Sequence, residues 1–149
     1  MTTADTPASS TPWHLWAVGG IALIWNGFGG YDYWMSQTVG EPYFRSMGMA
    51  DAQIAAFKSM PVWMVCVWAI GVWGAVLASL LLLARRRWAY PTYVASLAAF
   101  LLSVVYWFGI AGLAKAMGPR VIGMDAVIAV SLIAFALYAR AMAKRGVLR

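Results

Sequence analysis

From Pro61 to Ala84 the chain carries no charged residue, and Arg85, Arg86 and Arg87 follow at once. A run of that length, wound as a helix at 1.5 Å per residue, covers the roughly 30 Å hydrocarbon core of a bilayer. In lipid the backbone N–H and C=O groups must be satisfied inside the segment, which makes a helix the form available to one such run. The rest of the chain follows suit. It is 63% hydrophobic and only 11% charged, with a mean hydropathy of +0.73, where a soluble domain carries about 25% charged residues. There is too little polar surface here to cover a water-soluble globule. The expected fold class is all-α: a four-helix transmembrane bundle with a short interfacial helix between spans one and two.

The apolar blocks set the boundaries. Residues 1–12 are small, polar and proline-containing, and read as a disordered tail. The spans are expected at about 13–35, 61–84, 88–116 and 121–143, in one membrane domain, with a basic tail at 144–149. The start carries Asp5 and no Lys or Arg, and the first apolar stretch is of full membrane length, so it reads as a retained span and not as a cleaved signal. Residues 36–60 form the one sizeable loop. Within it Ala50 to Ser59 reads as a short helix on the membrane surface, with Asp51 near its positive end and Ile54 and Phe57 on one face. Gly118-Pro119 reads as a tight turn between the last two spans. Small residues at i, i+4 spacing (Ala22, Asn26 and Gly30; Gly74 and Ala78; Ala75 and Ser79; Ala95, Ala99 and Ser103) supply stripes for close helix packing.

Lys and Arg in short loops set the orientation. Arg85, Arg86 and Arg87 with Arg140, Lys144, Arg145 and Arg149 make seven of the eleven basic residues. An even number of spans puts this basic side, and with it both ends of the chain, in the cytoplasm. Arg45, Lys58, Lys115 and Arg120 fall on the other side. Trp13, Trp16, Trp34, Trp63 and Trp88 fall at span ends, where indole rings favour the headgroup level, while Trp25, Trp68, Trp73 and Trp107 lie deeper. The net charge of +6 is thus a topology signal and not a nucleic-acid patch. The arginine triplet is suited to anionic lipid headgroups.

Polar groups within spans are costly and single out candidate residues. Asn26 lies near mid-span, Asp32 near the outer end of span one, and Asp125 about one turn inside span four. With Tyr33, Lys115 and Arg120 they gather in one leaflet. Two readings stand. Asp125 pairs with Lys115 or Arg120 and steadies the outer end of the bundle, or these groups line a small polar pocket. At 100° per residue Asn26, Gly30 and Tyr33 share a face, and Asp32 points about 120° away.

Catalytic signatures are missing: no glycine-rich phosphate loop, no His-x-x-Glu-His, no G-x-S-x-G and no Cys-x-x-Cys. One histidine, His14, and one cysteine, Cys66, do not make a typical metal site, and no cofactor is implied. The expected partners are the lipid bilayer and either another membrane protein or a second copy of the chain.

The stretches W13-H-L-W-A-V-G, W25-N-G-F-G-G-Y-D-Y33 and P61-V-W-M-V-C-V-W-A-I-G-V-W-G-A-V-L-A-S-L-L-L-L-A-R-R-R-W-A89 resemble a family of small bacterial four-span membrane proteins, many of them labelled sugar transporters. The resemblance covers the first 90 residues or so, and the remainder by span pattern. It implies a place in the bacterial inner membrane. It carries over Trp25, Asn26, Gly30, Asp32 and Tyr33 in span one, and Pro61, Trp63, Trp68, Gly71 and Trp73 in span two. Two functions are expected from all this: an accessory or interaction protein of the membrane, or a small oligomeric transporter of sugar-like solutes with its polar site in the outer leaflet.

Overall fold

The computed structural model describes the backbone of residues 11–110 and 114–149, and the side chains of all of these except 110 and 114–117. The tail read at residues 1–12 therefore falls outside the described residues but for its last two, and so does the Lys115 side chain. Among the described residues the regular elements are all helical. The elements are α1 (Trp13–Thr38), α2 (Glu41–Ser46), α3 (Asp51–Lys58), α4 (Val62–Leu83), α5 (Ala89–Val105), a π-helical turn at Tyr106–Ile110, and α6 (Ala114–Lys144). Three helical stretches are long and apolar enough to cross a membrane: Val62–Leu83, Ala89–Gly109 and Gly118–Lys144.

The helices pack in chain order, α1 on α4, α4 on α5 and α5 on α6. Small residues set how closely α4 and α5 approach. A Cβ built on Gly71 would lie 3.6 Å from the backbone nitrogen of Phe100, and one on Gly74 would lie 3.3 Å from Cβ of Ser96. Ser96 Oγ donates to the Gly71 carbonyl across this seam, a contact that a larger residue at Gly71 would push apart. The α5 face that meets α4 is Ala89, Tyr93, Ser96 and Ser103. Ala95, expected in the packing stripe, is exposed, since it lies about 100° round the helix from Ser96, which faces α4. Long side chains bring α6 back to α1: Trp25 Nε1 donates to Ser131 Oγ at 3.1 Å, and His14 Nδ1 meets the Tyr138 hydroxyl.

The two ends of the bundle are built differently. At one end α2 and α3 fold over the helix ends. Glu41 binds Arg45 at 2.7 Å and Lys58 at 3.1 Å, and Arg45 binds Asp51 at 3.0 Å. The Arg45 guanidinium, then the Lys58 ammonium, hold the Glu41 carboxyl below its ordinary value. Beneath them lies a continuous run of rings: Phe44 on Phe57 (5.3 Å), Phe57 on Trp68 and Trp107 (5.8 and 5.1 Å), and Trp68 on Tyr33 (4.8 Å). Offset and edge-to-face pairs of this kind each add about 0.5–1.5 kcal/mol beyond the area they bury. The sequence reads residues 36–50 as loop, but Glu41–Ser46 is a helical turn, opened by Gly40 at φ +67° with Pro42 in its first turn.

At the other end residues 147–149 fold back on the arginine turn. Arg149 N donates to the Arg85 carbonyl at 2.6 Å, Arg87 N donates to the Arg149 carbonyl at 2.9 Å, and Val147 and Leu148 are buried. Arg85 sits at φ +58°, a left-handed conformation uncommon outside glycine. Its Nε reaches the Val147 carbonyl. Of the triplet, Arg86 and Arg87 are exposed and Arg85 is half-buried.

The break expected at Gly118-Pro119 is a single left-handed residue, Gly118 at φ +73°, inside what is otherwise α6. The third apolar block is not regular α-helix throughout its described length. Its α-helix ends at Val105 and widens into the π-helical turn.

Candidate functional site

The polar residues within the helices form two arrangements of opposite character. Asn26 is in the first. Gly19 approaches Leu83, Asn26 bonds Ser79, Gly30 meets Trp73 and Val76, and Tyr33 meets Trp68, so α1 runs antiparallel to α4 along its length. Asn26 Nδ2 donates to Ser79 Oγ at 3.0 Å. Ser79 Oγ donates to the Ala75 carbonyl at 2.8 Å. That uses its one proton, so the Tyr93 hydroxyl, 2.9 Å away, is the donor in the third bond. One hydroxyl thus joins α1, α4 and α5, with Ser79 and Tyr93 fully buried and Asn26 nearly so. Among the described residues no buried side-chain nitrogen or oxygen lacks a partner.

Asp32 is one side of a tie between α1 and α2: the Tyr43 hydroxyl donates to its Oδ1 at 2.7 Å. Burial, with the Asp32 hydrogen bond second, pushes the Tyr43 phenol up to about 12. Tyr33 is in the ring cluster, edge-on to Trp68 and Trp73.

Asp125 is different. It lies in a groove of about 390 Å³ between α5 and α6, lined among the described residues by Phe100, Leu101, Val104 and Phe108 on one side and Ile122, Asp125, Ala126 and Ala129 on the other. The groove is open laterally, towards the surface that α5 and α6 share. The carboxylate is about 10 Å beyond Gly118 along the helix axis, inside the apolar stretch Gly118–Lys144. Among the described residues it forms no hydrogen bond or ion pair, and Arg120 is exposed without one. The groove wall offers aliphatic groups and the rings of Phe100 and Phe108, with Asp125 as its sole charge among the described residues.

Asn26, Asp32 and Asp125 therefore occupy three separate places: a dry seam, a capped helix end and a lateral groove. The Asp125 groove is lined by neither of the other two. The residues absent from the candidate set are Ser79, Tyr93, Tyr43, Phe100 and Phe108. Ser79 was legible as a member of a small-residue stripe, but its role as a shared acceptor depends on Tyr93, a long-range neighbour. No local pattern marks the phenylalanines as the wall of a groove.

No known protein family, curated protein or solved structure significantly matches the chain.

Proposed function

We propose that this is a four-span integral membrane protein of the bacterial inner membrane that works by binding and not by catalysis, taking a membrane-borne component into the lateral groove between α5 and α6. The observation that carries this reading is the state of Asp125. A carboxylate placed in apolar surroundings is expensive unless something compensates it. Elsewhere in the bundle, Asn26 and Asp32 are compensated from within the chain. Asp125 is not compensated among the described residues, and its groove opens to the side.

The pairing of α1 with α4 supports a fourth crossing beside the three long apolar helices. α4 is long and apolar enough to cross. α1, 26 residues long, tracks it from Gly19 opposite Leu83 to Tyr33 beside Trp68. A helix paired over that length crosses with its partner. The basic end, with exposed Arg86 and Arg87, then faces the cytoplasm and its anionic headgroups. α2 and α3 lie at the opposite interface.

The other reading, passage of a sugar-like solute through an oligomer, finds less support. Such a path needs convergent polar groups near the midplane. Here the mid-span amide, Asn26, is already bonded inside the α1–α4–α5 seam.

Mass spectrometry of the intact protein released from mild detergent tests the proposal. The wild-type chain is expected to carry a component of defined mass. Ala126→Trp, which fills the groove, should lose it, and Leu137→Trp, on an exposed site further along α6, should keep it. A bare wild-type chain, or loss in both variants alike, overturns the reading.

A further inference from the structure

Resting on the groove as the binding face, we infer that its ligand is a hydrophobic cation: a compact apolar or aromatic body carrying one positive charge, drawn from the lipid phase and held by Asp125. The volume, the wall and the charge each limit the ligand. A groove of about 390 Å³ is at the lower end of the range that takes drug-sized molecules. It is too small to admit a second helix, which is about 10–12 Å across. The wall gives no neutral hydrogen-bonding group among the described residues, so a polyol such as a sugar would leave its hydroxyls unpaired at a cost of about 1–3 kcal/mol each. An anion would meet a like charge. An apolar cation satisfies every feature at once. Its body replaces lipid against Leu101, Val104, Ile122, Ala126 and Ala129. Its charge pairs with the carboxylate, and the rings of Phe100 and Phe108 that line the groove are of the kind that attracts a cation.

The same geometry makes the proton a competitor. From α5 and the π-helical turn, Phe100, Leu101, Val104 and Phe108 line the groove opposite α6, and none of them ionises. On α6 itself, Ile122, Ala126 and Ala129 line the groove. Arg120 forms no ion pair with Asp125. With no cation paired to Asp125 among the described residues, the site is either protonated and neutral or ionised and occupied. Binding of the cation displaces the proton to solvent, and acid releases the cation.

Equilibrium dialysis of the full chain in non-ionic detergent tests this with two ions of matched shape and opposite charge, tetraphenylphosphonium and tetraphenylborate. Saturable binding of the phosphonium is expected, weakening as pH falls, with no saturable binding of the borate. Asp125→Asn, nearly isosteric, should bind the phosphonium at least about tenfold more weakly, the loss of one charge-assisted contact. Asp125→Glu, which restores the charge, should retain binding and guards against a fold defect in the amide variant. Equal binding of the two ions, pH-independent binding, or wild-type affinity in a folded Asp125→Asn chain overturns the inference. If the phosphonium fails to bind while the component lost in Ala126→Trp persists, the cation inference falls and the binding role stands. If neither is seen, both fall.

Discussion

The Asn26–Ser79–Tyr93 seam is closed and the half-buried Asp125 lies in an open groove, and the chain treats their polar groups in opposite ways. In the seam one serine hydroxyl accepts from two helices and donates to its own, so three polar side chains neutralise one another and the interior closes. In the groove a group with a full charge is surrounded by hydrocarbon and rings, and nothing described answers it. The lesson is one of accounting: internal partners mark a polar residue that holds the bundle together, and their absence marks one turned to something outside the chain.

That contrast can be broken most sharply at Ser79. Ser79→Ala strands the Asn26 amide and the Tyr93 hydroxyl in a dry interface, at about 1–3 kcal/mol for each group. A large fall in the unfolding midpoint, followed by denaturant titration in mixed micelles, is expected. A near-neutral result would mean that the seam is not dry and that the two regions differ less than their geometry says. Tyr93→Phe removes one donor and leaves Ser79 bonded to Asn26. Its expected cost in the same titration is about 0.6 kcal/mol, the mean for hydrogen bonds between membrane helices. An effect as large as that of Ser79→Ala would shift the weight of the seam from the serine to the tyrosine.

The Asp32–Tyr43 tie sharpens the comparison, since there a carboxylate is answered from within. The Tyr43 phenol keeps its proton up to about 12 in the folded protein, whereas an unconstrained tyrosine loses it near 10. The tie therefore contributes fully below pH 10 and is lost as pH rises through 12. A difference ultraviolet titration of wild type against Tyr43→Phe should show this late midpoint, and Asp32→Asn should bring it down. A midpoint near 10 in the wild type would mean that Asp32 is as unanswered as Asp125. The smallest stability effect is expected at the groove itself. Asp125→Asn should change the unfolding free energy by less than about 0.5 kcal/mol, because no bond among the described residues is removed. A loss of 2 kcal/mol or more, on the order of a broken buried pair, would place Asp125 with Asn26 as a structural residue.

The helical class and the three apolar helices were legible in the sequence, because lipid-length runs without charge have few other forms. The start of the break at Gly118-Pro119 was legible too, since glycine is the residue that takes a positive φ without strain. What local pattern could not supply was partnership. Tyr43 and Asp32 are close in sequence, yet their bond depends on α2 being a helical turn where a loop was expected. Tyr93 reads as one more aromatic in an apolar block until α4 brings Ser79 against it. Arg85 reads as a headgroup-facing member of a triplet, and only the fold-back of Val147 and Leu148 turns it inward. In each case the missing term is a contact between segments that a period of 3.6 does not encode.

The π-helical turn at Tyr106–Ile110 has its own consequence. A turn wound i to i+5 holds one residue more than its α-helical neighbour, and one residue is worth about 100° of azimuth. Phe108 lies within that wider turn and still lines the groove. The mouth beside Asp125 is thus a matter of phase: a helix rewound by a single residue would swing its ring to another quarter of the compass, and the recess would lose a wall without any change in composition.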